Sequence, residues 1–559
     1  MIFYDKVCLF FSEPRKVLIL TFCIGIALAF VSVLFSGFIY GDAVLYTTMA
    51  HYFGLGDYSK GFLDGIPPLF PVLSGLFCKL GIPAQYSTHI VSCALCVLTI
   101  FPLYLLLCFF MDRKYAAWGC MFYLFAPKIL RFGMTSLLEG TRFFFLILSV
   151  YLAFSFVKSK KNLTLIWLGI SLALSALVRG EGIIFAPIIL LVLILLLLKD
   201  NGYNIDSKFI IKTLGYCLIC AIVIFTVIAP RMYQVYKHTG YPLLDEREAM
   251  AVKEFSQNIK VFFASNKPIQ ETSSEATQTV EKIPLSQHKV VYSDPNTYSY
   301  FSLGRIRGFL DRFSVGTFEL YEILFVLGVV FLLRRKEWSL EHNVMIILVI
   351  LNAFIFYFAA LTYRYFLINI LLLMPFIISG YRLILDITKK HKIVQILFSI
   401  TVLFVALGQI ENGMADSLES KKKEPRRLGE WIKENKNLLI NSKKNSNERL
   451  HILSFGNRPD YPFFADADFS LHRDNDFVHN LKTSEDSEAD IKKTVKGFPA
   501  KYTYYTSTLL PPDKTIIPDI IVVTPPEDYS KEVAILKSIP NMQEVKTGFE
   551  DILLFKNLN

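Results

Sequence analysis

GDAVLYTTMAHYFGLGDYSKGFLDGIPPLFP, residues 41–71, begins where the first long apolar run, Val17–Tyr40, ends. That position puts the stretch at a membrane face. It opens on a carboxylate, Asp42, and closes on a stiff Pro-Pro-x-x-Pro turn made by Pro67, Pro68 and Pro71. An acid at the mouth of a spanning helix costs free energy unless it is solvated or put to use. The stretch predicts two short helices along the interface, Ala43–Phe53 and Leu69–Leu80, joined by a Gly-rich turn. They would hold Asp42 at headgroup level.

Outward from this stretch, the 559 residues are 53% apolar and only 19% charged, with a mean hydropathy of +0.43. That is more apolar than a soluble chain of this length requires. Runs of about 20 apolar residues recur through the first three quarters, each able to cross roughly 30 Å of hydrocarbon. The fold class is a polytopic α-helical membrane protein. All nine cysteines fall at or before Cys220, mostly inside apolar runs, and read as small apolar residues rather than a disulfide framework. The first apolar run is too long for a cleavable signal peptide.

Positive charge sets the direction of the spans. Lys6, Arg15 and Lys16 put the N-terminus in the cytoplasm. Spans follow at Tyr86–Phe110, Tyr115–Phe132, Leu137–Val157, Leu163–Val178, Gly182–Leu198 and Ile210–Ala229. After a long polar loop come Phe318–Leu333, Val344–Leu361, Tyr365–Ile384 and Ile393–Ile410, eleven spans in all. Every clustered basic loop then falls on one side. The Asp42 loop, the long loop (231–315) and the tail (411–559) share the other, so residues 1–410 form a membrane domain and the tail an extracytoplasmic domain in a plasma (inner) membrane protein.

The net charge of +10 is largely this topogenic lysine and arginine, and no basic stripe with interleaved aromatics points to nucleic acid. Within the long loop, Arg231–Phe263 reads as partly helical and Ala264–Lys282 as mobile. Phe301–Phe313 carries Arg305, Arg307 and Arg312 at helical spacing, either an interfacial helix or a lid. In the tail, Arg427–Lys433 and Tyr529–Ile539 read as helices, and Arg449–Phe455, Ile520–Thr524 and Ile552–Phe555 as strands of an α/β domain. Asp466-Ala467-Asp468 resembles a metal-holding aspartate pair, but a solvated turn is the simpler reading.

Charged residues at the outer span ends are Asp42, Lys128, Arg131, Glu139, Arg142, Arg179, Glu181 and Arg364. Singly, each is a structural ion pair or a snorkelling end. Together they suggest a site. Carboxylates there act as a general base on an acceptor or hold a metal, and arginines suit a phosphate, whose oxygens take paired bonds from a guanidinium fork. A base beside a phosphate-binding cation fits group transfer with a phosphate leaving group. His51, His89 and His238 lack ligand-like spacing and read as structural. No Walker sequence or strand-borne glycine fingerprint appears, as expected if no nucleotide is used. Two other classes compete: a secondary transporter, against which stands the lack of an internal repeat, and a non-catalytic scaffold with an external binding domain, which leaves the acids unexplained.

Several of these segments resemble the GT-C superfamily of lipid-linked-sugar glycosyltransferases, specifically family 39 and the aminoarabinose transferases of lipid A. The residues are Gly41-Asp42 after the first span, then Tyr46, Tyr58 and Pro67-Pro68-Leu69-Phe70-Pro71 in the first outer loop. Ser136-Leu137-Leu138-Glu139 opens the fourth span, Leu177-Val178-Arg179-Gly180-Glu181-Gly182 matches a Leu-x-Arg-x-Glu-Gly segment, and Thr362-Tyr363-Arg364-Tyr365 precedes a span with Pro375. The resemblance implies a polyprenyl-phosphate-sugar donor bound from the outer leaflet and inverting transfer of a hexose or pentose to a protein, lipid or glycan. By position it makes Asp42 the base. Glu139 would orient the acceptor or hold a divalent cation, the one cofactor implied. Arg179 and Arg364 would bind the lipid phosphate, with Lys128 and Arg131 as lesser candidates. Arg142, Glu181, Tyr46 and Tyr58 complete the candidate set. The chain departs from the pattern in carrying Glu139 where protein O-mannosyltransferases usually have Asp, and Ile66 where the aminoarabinose enzymes have Lys.

Overall fold

The computed structural model describes residues 13–35, 41–62, 66–180, 182–239, 243–244, 307–309, 319–359, 363–388, 401, 405 and 408, and in the tail 424–439, 450–455, 468–471, 498–499, 503–504, 515–516, 519–523, 530–540, 542–547 and 553–558. The described membrane region is built of helices joined by short turns and loops. The helices are α1 (Pro14–Phe35), α2 (Gly41–Leu55), α3 (Tyr58–Gly61), α4 (Leu69–Lys79), α5 (Ala84–Leu98), α6 (Ile100–Leu107), α7 (Arg113–Leu124) and α8 (Pro127–Gly133). There follow α9 (Glu139–Ser159), α10 (Asn162–Val178), α11 (Gly182–Asp200), α12 (Ser207–Thr239), α13 (Glu319–Arg335), α14 (Leu340–Ala359) and α15 (Tyr363–Thr388). Six of these segments are long and apolar enough to cross a membrane.

Ten of the eleven expected spans coincide with helical segments. The eleventh, Ile393–Ile410, lies almost wholly outside the described residues. Two expected spans carry an irregularity at a proline, and one expected boundary needs correction. The second span is present as one membrane-length segment, Ala84–Leu107, in which α5 and α6 meet at Thr99, since Pro102 has no N–H for the Leu98 carbonyl. The third is α7 and α8, separated where Pro127 leaves the Tyr123 carbonyl to Ala126 N–H at 3.2 Å. The seventh does not end at Ala229: α12 runs on through Pro230 to Thr239.

Lipid offers no hydrophobic reason for helices to associate, so close packing and polar contacts hold the bundle. At the crossing of α13 and α15, Gly328 faces the Phe376 carbonyl and Gly380 faces the Leu324 carbonyl with no room for a Cβ. Substituting Gly380→Ala forces two backbones apart and is expected to cost about 2–3 kcal/mol. Melting of the purified protein in detergent checks this against Gly215→Ala, a site with nothing within 4 Å of a new Cβ. Polar contacts add register: Asn352 Nδ2 donates to Asn369 Oδ1 at 2.8 Å between α14 and α15, and Ser149 Oγ donates to Ser171 Oγ at 3.0 Å between α9 and α10. α15 is the most deeply buried of the six long helices, whereas α12 turns Ile211, Leu214, Leu218, Ile222 and Phe225 outward.

The ends of the bundle separate by charge pairing. Lys160–Asp200 at 2.8 Å, Lys199–Glu341 at 2.6 Å, Arg335–Asp386 at 3.1 Å and Arg382–Glu337 at 3.2 Å tie helix ends at one extremity. At the other lie α2 and α4, which reproduce the two short helices expected of residues 41–71. Gly75 of α4 meets Phe53 and the Ala50 carbonyl of α2 so closely that no larger residue fits. Buried Arg231, on the extension of α12, donates to the Ile66 carbonyl at 3.0 Å and the Leu244 carbonyl at 3.2 Å, clamping the proline turn.

The described tail forms a six-stranded mixed sheet with strands β1 (His451–Phe455), β2 (Asp468–Leu471), β4 (Thr503–Tyr504), β6 (Ile520–Val523), β7 (Met542–Val545) and β8 (Leu553–Asn557), in the order β4-β2-β1-β6-β8-β7. A two-stranded pair, β3 (Phe498–Pro499) with β5 (Thr515–Ile516), stands beside it in the topology. β1 is parallel to β2 and β6, and β8 is antiparallel to β6 and β7. Leu428 and Ile432 of the helix Glu424–Glu434 pack with Ile452, Ile520, Val522 and Leu554. Both expected helices and three expected strands are present; β2, β3, β4, β5 and β7 are additional. Asp468 opens β2, aligned with His451, so it belongs to a strand rather than to a turn, while Asp466 and Ala467 lie outside the described residues.

Candidate active site

Four helix ends bring the charges together. Asp42 lies in the first turn of α2 and Glu139 is the first residue of α9, where a helix N-terminus favours an anion. Arg179 follows the last residue of α10, where a C-terminus favours a cation. Arg364 is the second residue of α15, where the dipole opposes a cation, and two carboxylates offset that.

The charges form one chain of contacts. Arg364 Nη2 donates to Asp42 Oδ2 at 2.6 Å, while its Nε lies 3.8 Å from Glu139 Oε1. Arg179 Nη1 approaches the same Glu139 oxygen to 3.7 Å. Its guanidinium sits 4.1 Å from the centre of the Tyr365 ring, a cation–π contact. Glu139 is 1% exposed, whereas the Asp42 side chain is 45% exposed. The buried acid is thus paired with two cations, whereas Asp42 is accessible to solvent. Glu139 Oε2 is buried with no hydrogen-bond partner, so it is an acceptor that a bound molecule can satisfy.

Beneath the charges lies a small apolar base. Phe70, from the proline turn, packs with Val91, Leu138 and Val178. Leu138 and Val178 immediately precede Glu139 and Arg179, so one buried ring supports both. Tyr46, one turn beyond Asp42, meets the Phe70 ring edge-on at 5.6 Å. Burial, reinforced by the Asp42 carboxylate, pushes the Tyr46 phenol well up, so it stays a neutral hydroxyl. Gly140 is obligatory because a Cβ would strike the Ser92 and Gly133 carbonyls; Gly182 is similar against Ser175.

Of the residues singled out in the sequence, Asp42, Glu139, Arg179, Arg364 and Tyr46 therefore converge. Arg142 is buried on α9, one turn beyond Glu139. Lys128 and Arg131 lie on α8, with Arg131 5.7 Å from the Phe132 ring centre. Tyr58 is not at the acids: it is exposed and accepts a bond from Lys79 Nζ at 3.3 Å. Glu181 lies outside the described residues, as do Ala264–Lys282 and most of Phe301–Phe313. Within the latter, Phe309 packs on Tyr357 and Phe366, two residues from Arg364. Sequence reasoning left out Tyr365, Phe70 and Arg231 as site supports. The Arg-Tyr dipeptide at a span start is a signal for the first and the Pro67–Pro71 motif for the second; nothing local marks Arg231.

A metal fits poorly. Among the described residues no three His, Cys, Asp or Glu side chains converge, and both acids already face guanidinium groups.

Residues 66–233 match the family model described as dolichyl-phosphate-mannose-protein mannosyltransferase. No curated protein matches the chain in sequence. Among solved structures, ArnT from Cupriavidus metallidurans in the apo state is similar at a TM-score of 0.56 and 13% identity, covering 96% of this chain and 97% of that one. The same protein bound to undecaprenyl phosphate matches at a TM-score of 0.55 and 11% identity over 96% and 97% of the two chains. The Archaeoglobus fulgidus oligosaccharyltransferase, crystallised with Zn and sulfate, matches at a TM-score of 0.55 and 13% identity, over 93% of this chain and 69% of that one. The chain shares the fold of these structures.

Proposed function

We propose that this GT-C chain is an integral-membrane glycosyltransferase that moves a sugar from a polyprenyl-phosphate donor to an acceptor on the outer face of a plasma membrane. The observation that carries the reading is the chain of contacts Asp42–Arg364–Glu139–Arg179 at one end of the bundle, beside the proline-stiffened turn. ArnT, similar in fold over nearly its whole length, binds undecaprenyl phosphate, which supports a lipid phosphate as the leaving group here.

The reaction follows from what these groups can do. An acceptor hydroxyl or amine attacks the anomeric carbon from the face opposite the phosphate, the bond from that carbon to the phosphate oxygen breaks, and the configuration inverts. Asp42, the accessible acid, takes the acceptor's proton. Arg179 and Arg364 receive the departing polyprenyl phosphate, whose charge grows as the bond breaks; donors placed where charge develops lower the barrier most. A phosphate on Arg364 competes with Asp42 for the same guanidinium, so donor binding and release of the base are linked. The free Oε2 of Glu139 orients the acceptor. Tyr46 contributes a neutral hydroxyl at the same place.

The test is transfer of radiolabel from undecaprenyl-phosphate hexoses and pentoses to acceptors in native membranes. Arg179→Ala removes one of two phosphate cations and is expected to raise donor KM about 10-fold or more, the size of one charged hydrogen bond of roughly 1.5–3 kcal/mol. Unchanged donor kinetics would take Arg179 out of the phosphate site. A chain that releases no labelled product from any such donor would end the glycosyltransferase reading.

A further inference from the structure

α5 touches both acids' supports with adjacent residues. Thr88 Oγ1 lies 3.3 Å from Thr47 Oγ1 on α2, the helix that begins with Asp42. The neighbouring His89 reaches the other way, placing Nε2 2.8 Å from the Met134 carbonyl, where the chain leaves α8 for the buried loop that ends on Glu139. Three further contacts hold that loop. Ser92 Oγ donates to the Gly133 carbonyl at 3.1 Å, Ser136 Oγ to the Gln85 carbonyl at 3.5 Å, and Ser32 Oγ of α1 to the Met134 carbonyl at 2.6 Å. Gln85, His89 and Ser92 recur at helical spacing and make one rail along α5.

Because the Met134 oxygen can only accept, Nε2 carries the proton, shared with Ser32 Oγ at 3.0 Å. His89 Nδ1 is then an acceptor, buried and without a partner in a side chain only 2% exposed. An unpaired buried acceptor lowers stability. An apolar residue would fill the space without that penalty, so packing alone does not account for a histidine here.

We infer that His89 is a positioning residue: with Thr88 on its other side, it fixes the separation of Asp42 and Glu139 by locking the Met134 carbonyl. This rests on the catalytic reading of the two acids. Since misplacement by about 1 Å costs on the order of 100-fold in rate, His89→Leu should lower kcat about 30- to 100-fold while donor KM stays within about threefold. Its melting temperature should hold or rise, because Ser32 still satisfies Met134 and the unpaired nitrogen is gone.

A merely structural role would not distinguish the two amides. His89→Gln, whose Nε2 can reach the same carbonyl, should restore most of kcat; His89→Asn, one methylene shorter, should not. The assay is label transfer from undecaprenyl-phosphate sugars by the full-length protein in native membranes, with Glu139→Gln run in parallel. If Glu139→Gln loses transfer while His89→Leu keeps kcat, the positioning role falls and the catalytic reading stands. Equal activities of His89→Gln and His89→Asn would also overturn it. If Glu139→Gln itself transfers normally, the catalytic reading fails and the positioning role with it.

Discussion

Asp42→Asn is expected to abolish sugar transfer, lowering kcat by about 10³- to 10⁴-fold, because an amide keeps the shape of the carboxylate but cannot take the acceptor's proton; general-base catalysis is typically worth 10²–10⁴. The fold should survive, since the side chain is 45% exposed and its ion pair with Arg364 is partly solvated. Donor binding should survive too, and it should tighten if the phosphate and Asp42 compete for Arg364. Transfer of label from undecaprenyl-phosphate sugars, set beside binding of undecaprenyl phosphate itself, reads both quantities. Equal transfer by wild type and variant would remove Asp42 as the base.

The second large effect concerns Arg364, which pairs with both acids. Its replacement by Met keeps the length of the side chain but leaves Glu139, 1% exposed, facing Arg179 alone at 3.7 Å. Breaking a buried pair by removing one partner costs about 3–5 kcal/mol; here Arg179 remains, so the loss should sit at or below the low end of that range. Transfer should fall with it, as the leaving phosphate loses a cation. The diagnostic is non-additivity. In the double variant Arg364→Met with Glu139→Gln the orphaned charge is gone, so its melting temperature should recover part of the loss. If the two substitutions simply add, Glu139 and Arg364 are not coupled across the site.

The proline turn gives the site its rigidity. Ile66, Pro67 and Pro68 are buried, Arg231 pins the Ile66 carbonyl, and Phe70 underlies the residues preceding Glu139 and Arg179. Asp42 and Arg364 are 322 residues apart in the chain. Their meeting therefore depends on helix packing, including the glycine-on-carbonyl crossing of α13 and α15 that seats the helix carrying Arg364.

Much of this was legible in the sequence because lipid imposes simple rules. Apolar runs must be helical to satisfy their backbone, basic residues mark one face, and so the common end of Asp42, Glu139, Arg179 and Arg364 followed from counting. The two short helices of residues 41–71 were equally readable, since glycines and prolines bound them on both sides. Where prolines interrupt helices was less legible: Pro102 and Pro127 interrupt the helical hydrogen bonding of their spans, yet Pro230 and Pro375 are carried inside α12 and α15. A missing N–H is a local fact, but whether neighbours compensate for it is a tertiary one. The short polar edge strands of the tail escaped for a related reason, because their pairing supplies what their composition does not.

Sequence alone thus determined the helical membrane architecture, the end of the bundle at which the charges gather and the two short helices of the Asp42 loop. Only the tertiary structure decided which charges pair: Arg364 between the two acids, Arg179 stacked on Tyr365, Glu139 buried with one oxygen left free. Hydropathy places a residue at a depth, whereas an ion pair needs a distance, and distances arise from how helices pack.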